Sequence, residues 1–304
     1  MAFTTTQPNF NGTAAAVFIH AALKTVKSLD FMTMIENVKY KTNIQNFNGA
    51  TGLVTDAACT YTSAGNLDLG ETTITPKNLK LNLDICRETL LDSWESLNMR
   101  AGSSSMASPS FEEHVISYLG EIIADNTEGS IWSGTAAGAG KFNGFLGAVT
   151  GTLLPAVDAT VIQDAAAGAY TAANIIGELG NLVAAIPAAV YVKEDLHIYM
   201  SPKTWRLYIE AISALSGFPF ANMSDDYTKM YNGIKIAMCP GMVDDQMVAA
   251  QKSNMFFATD LISDQVAIQL LDMTNVTGDD TIRCVAKFSG GVRQGIGADV
   301  VRQS

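Results

Sequence analysis

The sequence predicts an α+β fold. Two segments, at residues 38–44 and 79–85, alternate apolar and polar side chains as half-buried strands do. Residues 109–128 repeat apolar side chains at spacings of three and four, which is typical of an amphipathic helix. Residues 171–250 then switch between the two patterns several times. This mixture is typical of helices packed on sheets in an α+β fold.

Residues 1–30 are predicted to form an N-terminal arm. A polar, turn-rich leader precedes a weakly helical stretch that Thr13 can cap. The apolar segment 14–23 is followed by lysines and preceded by an uncharged leader. Because a signal peptide has the opposite charge order, we expect none here, and no apolar run is long enough to span a bilayer.

Residues 31–85 are predicted to form one extended hairpin, with 38–44 and 79–85 as its two strands. The stretch between them is rich in Gly, Asn and Thr and contains the turn signal Asn48-Gly49. A lone two-stranded hairpin is only marginally stable in water, so it needs a surface to lie on. That surface is either its own domain or another subunit.

The strongest helix signal lies near residues 109–128. Ser108 is a suitable N-cap, Pro109 suits the first helical position, and two glutamates follow where the helix dipole favours acids. The helix is expected to be roughly 30 Å long. Its predicted buried stripe consists of Phe111, Val115, Leu119, Ile122 and Ile123. A shorter helix is predicted around residues 90–97.

The rest of the chain is predicted to alternate turns, helices and strands. Glycines are frequent after Glu128, where turns and close backbone contacts are expected. The predicted elements after this segment are helices beginning at Thr171 and Pro202 and strands at 196–200, 234–239, 247–250, 266–271 and 282–288.

The composition limits the classes of function that the chain can have. The chain has 19 basic and 30 acidic residues, a formal charge of −11 and a pI near 4.7, so it lacks the basic balance of a protein that grips nucleic acid tightly. Solubility alone is an equally good explanation for this acidity. The four cysteines contain no C-x-x-C pair, which disfavours a zinc site and a disulfide framework and favours free thiols; they are Cys59, Cys86, Cys239 and Cys284.

No catalytic, cofactor-binding or metal-binding residue is predicted. The histidines His20, His114 and His197 lie outside any recognisable triad context, and no G-x-S-x-G motif occurs. For His114 and His197 we expect surface or interface positions. The segment 138–141 lacks the spacing of a phosphate-binding loop.

Acidic, aromatic and basic groups each allow two interpretations. The pairs Asp225-Asp226 and Asp244-Asp245 suit a hard cation but lack EF-hand spacing, so solvated loop carboxylates are expected. The three tryptophans fall on apolar patterns, which favours packing over base stacking; they are Trp94, Trp132 and Trp205. The densest basic group either meets phosphates weakly or is ordinary solvated surface; it comprises Arg283, Lys287, Arg293 and Arg302.

The order of these elements resembles the HK97-type capsid fold over essentially the whole chain. The residues that carry the resemblance are Pro109-Ser110-Phe111 continuing to Glu128, Ile131-Trp132, Gly134, Gly144-Phe145-Leu146-Gly147, Phe288-Ser289-Gly290-Gly291-Val292 and the segment 298–301. They look like that fold's spine helix, its glycine-bearing return and its closing strands. The resemblance implies an arm at 1–30, an E-loop hairpin at 31–85, a peripheral domain at 86–154 and 264–304, and an axial domain at 155–263.

By the same resemblance the chain is expected to be a major capsid protein of a tailed double-stranded DNA phage. It would assemble in the host bacterial cytoplasm into pentamers and hexamers of an icosahedral head, without a membrane or a cofactor. Portal, scaffold or decoration proteins would be partners, and packaged DNA would be contacted weakly. Three other functions stay open: an encapsulin-like compartment for cargo enzymes, a soluble α+β enzyme, and a decoration or minor structural protein.

Two features of the family pattern differ here. Some relatives begin with a long scaffolding segment, whereas the predicted arm starts within the first residues, which implies a separate scaffold or none. Some relatives link subunits by a lysine–asparagine isopeptide. Possible donors are Lys39, Lys41 and Lys77 and a possible acceptor is Asn275, but no motif assigns those roles and we expect no such link.

Overall fold

The computed structural model describes residues 26–48, 68–86, 109–165, 168–214, 229–260, 269–274 and 276–304. Within these ranges the chain forms two sheets, a separate two-stranded hairpin and one long helix. The predicted arm up to residue 25 and the predicted helix at 90–97 lie outside the described residues.

The described helices confirm the three strongest helical predictions. The longest has 25 residues and is therefore about 37 Å long. Their bounds are α1 Pro109–Ser133, α2 Ile175–Ala184, α3 Ala188–Tyr191 and α4 Pro202–Ala214. Short 3-10 turns at Lys27–Phe31, Lys252–Asn254 and Gly297–Asp299 connect other elements.

The described strands include every predicted one at least in part. Those of the first half are β1 Thr33–Ile35, β2 Thr42–Asn48, β3 Asp68–Ile74, β4 Lys77–Cys86 and β5 Ile162–Asp164. Those of the second half are β6 Leu196–Met200, β7 Met230–Tyr231, β8 Ile234–Met238, β9 Met247–Gln251, β10 Met255–Ala258, β11 Gln269–Asp272, β12 Thr281–Gln294 and β13 Val301–Gln303.

The first sheet is organised by β12, its longest strand. It has the order β1-β10-β12-β11, and β4 also pairs with β12 in antiparallel register from Cys86 opposite Thr281 to Lys77 opposite Gly290. One face of this ribbon is apolar, with Leu79 opposite Phe288 and Ile85 opposite Ile282. The alternation that predicted both strands therefore marks the face that they bury.

The second sheet has the order β5-β13-β9-β6-β8-β7 and is covered on both faces. Strand β6 is buried at all five positions, with Tyr199 in one apolar cluster and Ile198 in the other. Strands that are close in sequence contribute to different sheets. Strand β10 lies before residue 263 but pairs in the first sheet, and β13 lies after residue 264 but pairs in the second.

The hairpin consists of β2 and β3. The prediction that its first strand pairs with residues 79–85 is therefore wrong. Strand β2 pairs with β3 in antiparallel register from Thr42 opposite Ile74 to Asn48 opposite Asp68. The segment 79–85 is a strand, but it pairs with β12. When this strand pairs with β12, its alternating leucines can be buried on one face of the sheet. In a free two-stranded hairpin the same leucines would stay exposed.

The glycine-rich segment after α1 folds back against the end of that helix. Phe145 N–H donates to the Ile131 carbonyl and Leu146 N–H to the Trp132 carbonyl. A side chain on Gly144 would collide with the carbonyls of Ser130 and Ile131. The predicted close backbone approach is confirmed, and it seats Trp132 and Phe145 in the larger apolar cluster.

Candidate assembly surfaces

The inner face of the β2–β3 hairpin rests on the chain's own body. The side-chain amide of Asn46 and the hydroxyl of Thr72 each donate to the Gly295 carbonyl, both over 3.1 Å. At the base, Ile74 is 1% exposed and packs with Val38 and Ala258. The hairpin therefore has a fixed direction before any neighbour is present.

The outer face of the hairpin is exposed along its whole described length. Phe47 is 67% exposed and Leu69 is 60% exposed, and the two are directly opposite each other across the ribbon. Farther down the same face, Asn43 Nδ2 donates to a Glu71 carboxylate oxygen. An apolar cross-strand pair at the far end of a reaching ribbon is a surface suited to contact with another chain.

Helix α1 buries one face and exposes another. The buried face includes Ile116, Leu119 and Ile123, none more than 3% exposed. Tyr118 and Ile122 form an exposed apolar ridge one helical turn apart, 56% and 39% exposed. The prediction that Ile122 lies in the buried stripe is therefore wrong, whereas Leu119 and Ile123 are confirmed. The side chains of Phe111 and Val115 lie outside the described part.

The segment 27–31 is fixed to α1 by a buried carboxylate. Glu128, 6% exposed, accepts hydrogen bonds from the Ser28 amide and hydroxyl and from the Gly241 amide. The Ser28 hydroxyl also accepts a 2.7 Å bond from Trp132 Nε1. These bonds give the buried carboxylate the donors it needs, and they fix the segment 27–31 against α1.

His197 is buried, so the prediction of a surface position is wrong. It lies on the central strand β6, its ring is 5.5 Å from that of Phe31, and its Nδ1 is 2.8 Å from the Asp195 carbonyl. Burial lowers the pKa of this imidazole, and Lys235 and Lys252 act in the same direction. A neutral ring in a packed site serves structure. His20 and the side chain of His114 lie outside the described part.

The pair Asp244-Asp245 holds the start of α4 and the loop before α2. Asp244 accepts from the Ser201 hydroxyl at 2.9 Å, and Asp245 accepts from the Tyr170 amide at 3.1 Å. Lys203 lies 3.3 Å from Asp245. Among the described residues no group of three possible metal ligands occurs, and Asp225-Asp226 lies outside them.

The loop 138–141 follows a helix, and its carbonyls take part in a lysine contact. Gly138 N–H closes a turn onto the Thr135 carbonyl. The Lys77 ammonium donates to the carbonyls of Ala136 and Lys141, over 2.7 and 2.9 Å. These bonds hold Lys77 in place as a structural cation. Lys39 and Lys41 are exposed, and the predicted acceptor Asn275 lies outside the described residues.

The predicted basic group does not form one surface. Arg283 makes a bidentate ion pair with Asp84, over 2.7 and 2.9 Å. Lys287 lies opposite Lys80 on the same ribbon. Arg293 lies near the hairpin base, and Arg302 is 8% exposed in the second sheet. These positions disfavour a continuous phosphate-binding stripe.

Two of the three tryptophans are placed as packing residues. Trp132 is fully buried, 5.6 Å from the ring of Phe145 and 5.5 Å from that of Tyr199. Trp205 is half-buried against Tyr208. Both confirm packing over base stacking, and Trp94 lies outside the described residues.

The buried thiols are not suited to reaction. Cys239 and Cys284 are both fully buried and in no disulfide. Burial raises the pKa of Cys284 to about 11 and that of Cys239 farther still, so both are protonated at neutral pH.

In the described part of the chain no helix is long and apolar enough to cross a membrane.

Comparison with known proteins gives matches in structure only. No protein-family model and no curated protein matches the sequence. A chain of the satellite phage P4 procapsid matches this one with a TM-score of 0.61 and 10% identity, over 99% of this chain and 93% of that one. The capsid of the native GTA particle has a TM-score of 0.59 at 13% identity, over 100% and 95%.

A virus-like particle from Pyrococcus furiosus also matches, with a TM-score of 0.54 at 8% identity, over 96% of this chain and 98% of that one. The likeness in each case spans nearly the whole of both chains, so it covers the hairpin, the long helix and both sheets together. The chain therefore has the HK97-like α+β capsid fold.

Proposed function

We propose that the chain is a major capsid protein that assembles into an icosahedral phage head enclosing double-stranded DNA. The observation that carries this proposal is the match of the whole chain to capsid subunits, over 99% of its length for the P4 procapsid. A fold alone does not fix a function, so the exposed surfaces of this chain supply the second argument.

Those surfaces are the kind that a closed shell covers. The outer hairpin face carries the apolar pair Phe47 and Leu69, and α1 carries the ridge of Tyr118 and Ile122. A monomer gains nothing by presenting a long ribbon with apolar side chains to water. In a shell built from pentamers and hexamers, copies of the chain would cover these groups at repeated interfaces.

The proposed domains follow the two sheets. We assign β2–β3 as the E-loop, the first sheet with α1 as the peripheral domain, and the second sheet with α2 and α4 as the axial domain. The segment before residue 26 would be the N-terminal arm, leaving the body beside Ser28. This division differs from the sequence-based boundaries at four strands. β1 and β4 move from the hairpin to the peripheral domain, β10 moves to the peripheral domain, and β13 moves to the axial domain.

The proposed contact with DNA is weak and independent of sequence. A formal charge of −11 repels phosphates overall, and the basic residues of β12 and β13 are dispersed. The chain would act as a wall around the genome, without catalysis, in a virion assembled in the host cytoplasm. Portal and scaffold or decoration proteins would be further partners.

The experiment that tests this function is electron microscopy of the purified full-length protein, followed by analysis of the contents of particles from infected cells. Closed shells with nuclease-protected double-stranded DNA are expected. An encapsulin-like shell is the second candidate, because a virus-like particle shares the fold. Shells that enclose a tagged protein in place of DNA would replace the phage assignment, and a purely monomeric protein would contradict both.

The shell is expected to be held together without covalent links. Among the described residues Lys77 is engaged by two carbonyls, and Cys239 and Cys284 are buried. Particles boiled in detergent should give one band near the chain mass of 32.3 kDa. A ladder of multimers that survives reducing agent would show an isopeptide or similar bond and overturn this prediction.

A further inference from the structure

A small pocket of mixed polar and apolar lining lies where the hairpin base crosses the first sheet. Its volume is about 200 Å³, and its walls come from the hairpin base, the glycine-rich return after α1 and the end of β12. The crossing is close because residue 291 is glycine: a Cβ there would lie 3.0 Å from Pro76 Cα. Since a water molecule takes about 30 Å³ of liquid, the pocket has room for one tetrahedral oxyanion with some water.

Two residues that line the pocket carry a buried polar atom without a hydrogen-bond partner in the described part of the structure. Thr152 is 5% exposed, and its Oγ1 is buried without a hydrogen-bond partner in the described part of the structure. The buried Nε of Arg293 has none either. The side-chain carbonyl of Asn143 accepts from the Ala136 amide and the Thr150 hydroxyl, which leaves its amide group as a donor.

The charge of the pocket is positive. Arg293 and Lys77 both line it, and Lys77 uses two of its three N–H groups on carbonyls, which leaves one for a ligand. Within the described residues Arg293 has no carboxylate within ion-pair distance. Asp158 acts on it only from farther away, and that carboxylate already accepts from Thr160 and Gln294.

We propose that this pocket binds an oxyanion of the phosphate type, held by Arg293, Lys77, Thr152 and Asn143. Such an anion accepts several hydrogen bonds at once, and it would satisfy the buried donors and give Arg293 an ion-pair partner. Because the ligand would contact all three walls, it would also stiffen the hairpin base. The source is either free phosphate or a phosphodiester of nucleic acid, and the site does not depend on the chain's assembly into shells.

The test is the thermal unfolding of the full-length protein in sodium phosphate, compared with sodium chloride of equal ionic strength. A saturable rise of the midpoint with phosphate is expected. Arg293→Gln should weaken phosphate binding by roughly tenfold or more, since a charge-assisted contact is lost. Thr152→Val should weaken it several-fold, while its midpoint in chloride stays equal or rises because an unpartnered buried hydroxyl is gone.

The matched control is Arg283→Gln, which removes one positive charge from the same strand but from an exposed ion pair outside the pocket. It should bind phosphate as the unchanged protein does. Equal weakening by Arg283→Gln, or no saturable effect of phosphate, would overturn the proposal. If Arg293→Gln does not fold, the phosphate affinity of Thr152→Val tests the proposal, and an unchanged affinity would overturn it. Displacement of phosphate by a short DNA duplex would identify the phosphodiester as the source, and no displacement would identify free phosphate.

Discussion

Replacing residues 49–67 with a two-residue Asn-Gly turn is expected to leave the chain folded and to prevent closed shells. Asn48 and Asp68 are directly opposite each other in the hairpin, so a two-residue loop can join them. The contacts of Asn46 and Thr72 with Gly295 and the burial of Ile74 all remain. The unfolding midpoint should therefore move by no more than about 4 °C, which corresponds to a loss of about 1 kcal/mol in the free energy of unfolding.

The loss of shells is expected because the proposed E-loop would supply contact area to a neighbouring copy. Stable interfaces bury on the order of 1,600 Å² in total, and a long hairpin is a substantial share of this. Sedimentation and microscopy should find only small species. A useful control is Leu69→Thr, which keeps the hairpin length but reduces the apolar pair, and should reduce shell yield less. Normal shells from the shortened chain would contradict the role of the hairpin, and global unfolding would show that 49–67 belongs to the core.

The elements that the sequence predicts well are those with a periodic apolar face. Helix α1 and strands β4, β6 and β12 each bury one side or both against the same chain, so the apolar spacing reports the packing. The return strand β3 was missed because its inward positions are Gly70, Thr72 and Ile74, only one of them strongly apolar. Its inner face is held by hydrogen bonds to Gly295 in place of apolar packing.

Strand pairing is the part that sequence patterns leave open. The leucines of β4 require an apolar partner, but β2 and β12 both offer alternation, and only β12 is long enough to match all ten positions. The placement of β10 in the first sheet and of β13 in the second likewise depends on contacts between residues that are far apart in the sequence. Periodicity reports which face is buried but carries no information on the partner that buries it.

The candidate surfaces and the pocket were still harder to predict. The outer pair Phe47 and Leu69 comes from two strands whose register depends on the pairing. In the sequence Arg293 stands out only as part of a basic group. Thr152 gives no sequence signal, because its importance lies in a buried hydroxyl without a partner. The Glu128 contact with Ser28 joins residues 100 positions apart, and no local pattern announces it.

The neighbouring residues Ile122 and Ile123 of α1 are expected to differ strongly in how much the same substitution destabilises the chain. Ile123 is 3% exposed, whereas Ile122 is 39% exposed. Ile123→Asp removes a buried apolar side chain, which costs about 2 to 5 kcal/mol, and introduces an unpaired carboxyl, which adds about 1 to 3 kcal/mol. A combined loss of roughly 3 kcal/mol or more is a large part of the 5 to 15 kcal/mol that stabilises a typical domain.

Ile122→Asp is the matched control, because it places the same carboxyl one position away on the exposed ridge, beside Tyr118. Its stability should change by no more than about 1 kcal/mol, as is usual for exposed positions. Denaturant unfolding of both variants measures the difference directly. The α1 assignment would be wrong if Ile123→Asp were as stable as the unchanged chain, or if Ile122→Asp were the more damaged of the two. If a neighbouring copy covers the ridge, Ile122→Asp should fold normally and still lower the yield of shells, since the buried interface would then contain an unpaired charge.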